Sequence, residues 1–390
     1  MNIGVAGPFN PITVKQYFEN DIELPDINHM ATSVNAYVNG LLKLGHRVIV
    51  FTTYSFKGQP YILKGKNISI CFISTQFKLH ALGKLRMVRR IRDCIRDYVN
   101  ELDVLHAEWT YEYALAIKAF KNCLPLFCSV RDWAPYIFSL AKKANEKYYW
   151  GLSLFIFWQV MKGDSLHFIA NSDYTKKQIL SKYPSKKVAT IPNPMNSKNV
   201  LISRTDYPKE PTFISISTRP FSYRKNNLVL LDAFSAYRKK EPSARLIIVG
   251  SYSEEEADSL EKKGLLVGVQ LTGLVSHDEV ISLIDRSSCL VHPALEETFG
   301  NILLEGMCRR VPCIGGEHSG AVPQVLGYGK YGFLCDVTSS DSIAEAMEQA
   351  MSTDQREIII NACTEYITKT FSDTVIAQSH IDLFSKCKED

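Results

Sequence analysis

The chain has 390 residues, 46% of them apolar and 22% charged, which describes a globular protein long enough for two domains rather than a fibrous or disordered one. Ten scattered cysteines without a Cys-x-x-Cys pair argue against a disulfide-stapled secreted scaffold and suit reduced thiols in the cytoplasm. The net charge of +4 divides unevenly: residues 1–196 carry 25 Lys and Arg against 14 Asp and Glu, a balance of +11, which leaves −7 for 197–390.

A basic front half suits phosphates or an anionic membrane surface. No zinc-finger spacing, helix-turn-helix pattern or Gly/aromatic ribonucleoprotein signature accompanies it, so no nucleic-acid partner is expected. In chain order, Ile3–Ala6 reads as a buried strand rather than part of a signal peptide, and Ala31–Leu44 as a helix. Strands follow at Arg47–Thr52, Ile68–Ile73, Val104–His106, Leu126–Val130 and His167–Asn171. Between them, Leu82–Val99 places Leu85, Val88, Ile91, Ile95 and Val99 on one helical face, with Lys84, Arg86, Arg89, Arg90, Arg92 and Arg96 around the remainder. Such a helix either packs on a core with a solvated basic face or lies on anionic lipid. The run Tyr148–Trp158 is apolar and aromatic but too short to span a bilayer. It reads as a buried helix, with an interfacial or lipid-acceptor surface as the other reading. Any membrane attachment is then peripheral.

The polar, Pro-containing stretch Ile191–Pro211 reads as an interdomain linker. A second set of strands follows it: Phe213–Ser217, Arg245–Val249, Val269–Thr272, Cys289–His292 and Val311–Ile314, with helices such as Leu228–Lys239 between. Alternation of this kind predicts an α/β protein of two doubly wound, Rossmann-like parallel-sheet domains facing a cleft. The boundaries are 1–195 for the first domain, 196–370 for the second and 371–390 for a last helix. No Gly-x-Gly-x-x-Gly follows the first strand, which argues against a dinucleotide-dependent dehydrogenase.

Two segments of the second half carry chemistry. After a strand, Thr218-Arg219-Pro220-Phe221-Ser222-Tyr223-Arg224-Lys225 places an Arg and a Lys before a helix, where Arg219 and Lys225 either neutralise a diphosphate or face solvent. In His292–Glu305, the carboxylates Glu297 and Glu305 flank Phe299 and Gly300 at a strand–loop–helix junction, whose N–H groups and positive dipole end suit an anion. Spacing alone is weak evidence, because Glu357 and Glu365 stand equally far apart without Phe-Gly or a preceding strand, and read as a solvated helix face.

The combination resembles the retaining glycosyltransferases of family 4, which have the two-domain GT-B fold. The resemblance rests on Arg219 and Lys225, Gly250 after a strand, the Gly273-Leu274-Val275 turn, Glu297-Thr298-Phe299-Gly300…Glu305 and the following Gly315-Gly316 loop. It covers nearly all of the second half, and implies an acceptor-side domain in 1–195, a nucleotide-sugar-binding domain in 196–370 and a last helix, 371–390, that returns to the first domain. By position it implies that Arg219 and Lys225 bind the diphosphate and stabilise the departing nucleotide, and that Phe299, Gly300 and Asn301 offer backbone N–H groups. Glu297 would hold donor-sugar hydroxyls, Glu305 the nucleotide ribose, and Gly273 and Leu274 would border the base. The implied reaction needs no metal or other cofactor, and its donor is a nucleoside-diphosphate sugar. The acceptor would be a polysaccharide, oligosaccharide or lipid-linked glycan, with the protein in the cytoplasm or at the inner face of the plasma membrane.

The first half resembles the family more loosely, through Gly45-His46-Arg47-Val48, Asp103-Val104-Leu105-His106 and Ile169-Ala170-Asn171-Ser172. Residues 25–32 lack the glycines the family usually places there, and Arg131 stands where the family often has His. Gln324 stands where Glu is common. Arg131-Asp132 is then either a sugar or acceptor contact or a structural ion pair. The departures imply a subgroup with its own loop or, as the alternative, a nucleotide-sugar-binding protein with weak or lost transfer.

Overall fold

A computed structural model describes residues 1–19, 21–25, 27, 31–75, 81–141, 144–195 and 207–389. Residues 26 and 28–30 of the glycine-free stretch and 196–206 of the linker lie outside these. The chain divides into two compact units, Met1–Asn196 with Phe371–Asp390, and Ser197–Thr370.

The first unit holds strands β1 (Asn2–Ala6), β2 (Arg47–Tyr54), β3 (Tyr61–Lys64), β4 (Ile68–Ser74), β5 (Val104–Ala107), β6 (Leu126–Val130), β7 (His167–Ala170) and β8 (Val188–Thr190). They form one sheet in the order β3-β4-β2-β1-β5-β6-β7-β8, parallel except for the antiparallel β3. Its helices are α1 (Thr32–Lys43), α2 (Ala81–Arg96), α3 (Glu112–Ile117), α4 (Ala134–Ser139), α5 (Ala144–Met161) and α6 (Asp173–Lys182). The second unit holds β9 (Thr212–Ile216), β10 (Arg245–Val249), β11 (Val269–Gly273), β12 (Cys289–His292), β13 (Cys313–Gly316) and β14 (Phe333–Cys335), all parallel, in the order β11-β10-β9-β12-β13-β14. Its helices are α7 (Asn227–Lys240), α8 (Glu254–Lys262), α9 (His277–Asp285), α10 (Asn301–Cys308), α11 (Val322–Val325), α12 (Ser340–Met351) and α13 (Thr353–Phe371), and α14 (Asp373–Glu389) ends the chain in the first unit.

Both sheets are doubly wound, as the alternation of runs predicts. The sequence reading did not include β3, β8 and β14, each three or four residues long, with β3 half exposed at the sheet edge. The strand expected at Val311–Ile314 sits two residues later. Pro312 has no N–H to give a ladder, and pairing begins at Leu290 with Cys313.

In the first unit the sheet is covered on both faces. One apolar layer gathers Ile91 and Ile95 of α2, Ile117 of α3 and Ile156 and Phe157 of α5. The other gathers Val34, Val38 and Leu41 of α1 with Ile376, Ile381 and Phe384 of α14. Gly40 permits this docking: a Cβ there would lie 2.1 Å from the carbonyl oxygen of Asp373. Lys43 closes the contact with an ion pair to Asp373 at 2.6 Å. In the second unit, Glu357 and Glu365 are exposed on α13 and Glu365 pairs with Lys369, as a solvated helix face requires.

Candidate functional site

The strand order of the second unit reverses between β9 and β12. Loops leaving these neighbours turn apart and leave a crevice outside their carboxyl ends, the usual ligand position in an open α/β sheet. Both charged segments leave there. Beyond β9 the chain passes Arg219 into a single 3-10 turn, Tyr223–Lys225, and α7 starts after Asn226 in the left-handed region at φ 56°. Asn226 tolerates that conformation and donates through Nδ2 to the carbonyl of Val337 at 2.7 Å. Beyond β12 a loop carries Glu296 and Glu297 to Gly300, whose φ of 93° caps α10. A side chain at that position would strain the backbone, so glycine sets the helix start. The N–H of Leu295 donates to the carbonyl of Arg224 at 2.9 Å and ties the two loops together.

Where they meet, charges concentrate. Lys225 Nζ donates to Glu297 Oε2 at 2.8 Å. Arg224 Nη1 stands 3.3 Å from the same oxygen and 3.5 Å from Glu296 Oε2. Burial alone would raise the Glu297 carboxyl, but Lys225, His292 and Arg224 outweigh it and hold the group well below the usual carboxylate range. Glu297 is therefore ionised at every ordinary pH, and an ionised carboxylate accepts hydrogen bonds without donating. His292, at the end of β12, is buried 3.9 Å from Glu297. Burial pushes it below its ordinary value, so it is neutral at pH 7. His292 Nε2, Ser217 Oγ and Ser319 Oγ are buried without a hydrogen-bond partner. His292 ends β12, while Ser217 and Ser319 lie just beyond β9 and β13. Unsatisfied polar atoms cost about 1–3 kcal/mol each, and three beside one strand-end crevice suit a polar ligand.

One turn into α10, Glu305 lies 3.3 Å from Nε2 of His277, the first residue of α9. Their hydrogen bond raises the His277 pKa against the opposing effect of burial. It also brings Glu305 to the end of the Gly273–Ser276 turn, where Gly273 has φ 74° and Leu274 is exposed. Phe299 is buried, while Asn301 opens α10 from an exposed position. Arg219 is exposed on its loop, its carbonyl accepting from the N–H of Ser222 at 3.1 Å. The structure thus joins Lys225 to Glu297, and Glu305 to the turn after β11. It adds three residues that the sequence reading passed over. Arg224 was hidden as one more cation in a basic loop, and His277 and His292 as lone histidines.

Two family models divide the chain between them. That of Glycosyltransferase Family 4 matches residues 30–198 and that of Glycosyl transferases group 1 matches residues 202–368. The chain belongs to the family 4 glycosyltransferases. It is 30% identical over 126 residues to N-acetyl-alpha-D-glucosaminyl L-malate synthase of Bacillus anthracis, an alignment covering 32% of this chain and 33% of that protein. The first curated relatives are matched over only about a third of their length. Structural likeness extends over the whole chain. A sucrose-phosphate synthase from Thermosynechococcus elongatus has a TM-score of 0.74 at 14% identity, covering 100% of this chain and 99% of that one. The Anabaena protein HepE, in complex with UDP and glucose, has 0.70 at 16%, covering 99% and 100%. At such identities the likeness concerns the GT-B fold alone.

In this family 4 glycosyltransferase the first unit also presents charge at its own switch point, between β1 and β5. Arg131, just beyond β6, donates through Nε to Glu108 Oε2 at 2.9 Å, and through Nη1 to Asn193. Of the two readings of Arg131-Asp132, the structure shows Arg131 in an ion pair, with Glu108, while Asp132 accepts from Trp109 at 3.3 Å and from Tyr111 at 3.1 Å. Glu108 is wholly buried. Burial would raise it, but the Arg131 guanidinium outweighs that and holds it ionised. Behind it, His106 and His380 are buried, and burial lowers their pKa to about 4 and about 3. Among the described residues, His106, Glu108 and His380 are the group of ligand-type side chains whose donor atoms lie within 4.8 Å of one another. Their contacts are those of a packed core: His106 meets Tyr37 Oη at 3.1 Å and Ser129 Oγ at 2.9 Å, and Arg131 already neutralises Glu108.

Proposed function

We propose that the protein is a retaining, metal-independent hexosyltransferase, moving a sugar from a nucleoside-diphosphate sugar to a polysaccharide, oligosaccharide or lipid-linked acceptor. The observation that carries this reading is the meeting of Lys225 with an ionised, largely buried Glu297 beside the Gly300 start of α10, at the carboxyl ends of β9 and β12. Lys225 and Arg219 neutralise the diphosphate, and their charge lowers the barrier by stabilising the nucleotide as it departs. That work needs no divalent cation. The N-terminus of α10 adds backbone donors and its dipole. Glu297 accepts from donor-sugar hydroxyls, and Arg224 fixes the loop that carries it. Glu305, steadied by His277, accepts from the ribose, and Gly273 and Leu274 border the base. Glu297 is a sugar holder rather than a nucleophile, because three neighbours draw on its negative charge. The acceptor attacks on the face that the nucleotide leaves. The nucleotide and sugar held by the Anabaena neighbour, and the glucosaminyl product named for the Bacillus relative, support the donor class.

Thermal-shift ranking of uridine, guanosine and adenosine diphosphates, then of their sugars, tests the donor half. Transfer to labelled polyprenyl-linked and oligosaccharide acceptors tests the other half. Donor binding with neither transfer nor slow donor hydrolysis across the panel would make the protein a nucleotide-sugar binder instead.

A further inference from the structure

Two thiols from separate elements, Cys71 and Cys94, meet in the first unit. Cys71 stands on β4 opposite Phe51 of β2, and α2 crosses this face of the sheet. Four residues before Cys94, Arg90 Nη1 donates to the carbonyl of Ser74, at the end of β4, at 3.2 Å. Four residues after it, the Tyr98 ring centre lies 6.2 Å from that of Phe51. Residues four apart share a helix face, so contacts on either side hold Cys94 over Cys71. Both belong to one apolar layer, Cys71 4% exposed and Cys94 8%.

A side-chain hydrogen bond joins the two thiols. It raises the pKa of Cys71, which donates, and burial acts in the same direction. It lowers that of Cys94, which accepts, and outweighs the burial that opposes it. Arg90 also favours the Cys94 thiolate, whereas Asp93 and Asp97 disfavour it. A thiolate is the nucleophile of thiol chemistry, and a neighbouring thiol can resolve its oxidised form. Cys128, Cys289, Cys313, Cys335 and Cys363 are buried too, but burial pushes them up, away from the thiolate.

We propose that Cys71 and Cys94 form a redox modification site, closed to a disulfide by hydrogen peroxide. The Cys94 sulfur attacks one peroxide oxygen and the O–O bond breaks. The displaced hydroxide takes up the Cys94 proton and leaves as water, and Cys94 is then a sulfenic acid. The Cys71 sulfur attacks the Cys94 sulfur, so that the S–S bond forms and the S–O bond breaks. The second hydroxide leaves with the Cys71 proton as another water. In total the two thiols lose two electrons and hydrogen peroxide gains them. Sulfurs already in hydrogen-bond contact need only a small side-chain movement to bond. The product ties α2 to β4 and restricts the unfolded chain, which raises stability. The pair lies in the first unit and the Lys225–Glu297 centre in the second, so the inference stands apart from the donor-site reading.

Peptide mapping of the 390-residue chain, alkylated under native conditions and left unreduced, tests it. After hydrogen peroxide a cross-linked Cys71–Cys94 peptide is expected, and dithiothreitol should remove it. The cross-linked chain should melt about 3 °C or more above the reduced one. Cys71→Ser should leave Cys94 as a sulfenic acid that dimedone traps, whereas Cys94→Ser should leave Cys71 unlabelled. Three results would overturn the proposal: no Cys71–Cys94 link at a peroxide dose that oxidises the exposed Cys123, a link that forms only in the unfolded chain, or equal dimedone labelling of both variants. A cross-linked chain that melts no higher than the reduced one would overturn it as well. Should either variant melt early, the cross-link in the native chain carries the test.

Discussion

Replacing Lys225 with alanine removes the cation nearest to Glu297 and, on the proposed reading, one of the two that meet the diphosphate. The structure sets the size of both effects. Lys225 and Glu297 have side chains only 14% and 17% exposed, so their 2.8 Å contact is little screened by water. Losing one partner of a buried pair costs roughly 3–5 kcal/mol when the other charge is left alone. Here Arg224 stays 3.3 Å from the same oxygen, which brings the expected loss of folding stability to about 1–3 kcal/mol. A charge-assisted hydrogen bond contributes about 1.5–3 kcal/mol, so affinity for the free nucleoside diphosphate should fall about ten- to 150-fold. Calorimetry with the free diphosphate reads the second effect and chemical denaturation the first. Lys225→Arg should restore most of the affinity by keeping the charge. Unchanged affinity in Lys225→Ala, with the stability loss present, would confine Lys225 to holding Glu297 and would refute its role at the diphosphate.

Three other outcomes follow from the same geometry. Glu297→Gln keeps shape but loses the full negative charge, so sugar transfer should drop at least tenfold while affinity for the free diphosphate changes less than threefold; equal losses in both would merge the sugar and phosphate roles. His277 is raised by Glu305, so this pair stabilises the fold fully below the unfolded histidine value of about 6.5 and loses that contribution as pH rises through the higher folded value. The melting-temperature gap between the native chain and Glu305→Gln should therefore be widest in mild acid and close toward pH 8, and a gap independent of pH would refute the link. His106 and His380 act in the opposite direction: their folded values, about 4 and about 3, lie below the unfolded one. The unfolded chain takes up their protons first, so stability should fall between pH 6.5 and 4 by roughly 1.4 kcal/mol per pH unit for each histidine. His380→Gln should flatten that slope in denaturation measured across the range.

The sequence by itself determined the class of the fold. Runs such as Ile68–Ile73 and Cys289–His292 are apolar without alternation, as strands buried on both faces must be, and the helical patterns between them force parallel pairing. It also placed a helix start at Gly300, in a strand–loop–helix junction, while the left-handed backbone there came from the structure. Which carboxylate matters was not in the spacing. Glu357 and Glu365 repeat the separation of Glu297 and Glu305; Phe-Gly and the preceding strand told the pairs apart, and the placement of β12 beside β9 then brings Lys225 and Arg224 onto Glu297. Partner choice belonged to tertiary structure as well. Arg131 stands next to Asp132 in the chain but pairs with Glu108, 23 residues earlier, because β5 and β6 are neighbours in the sheet. The same holds for α5: the run Tyr148–Trp158 is apolar and aromatic, and only its packing against α3 and α4 decided that Tyr148, Phe155 and Trp158 stayed outside. Local spacing fixes the conformation of a segment, but the charges and rings that meet are separated by tens of residues, and the sheet order selects among them.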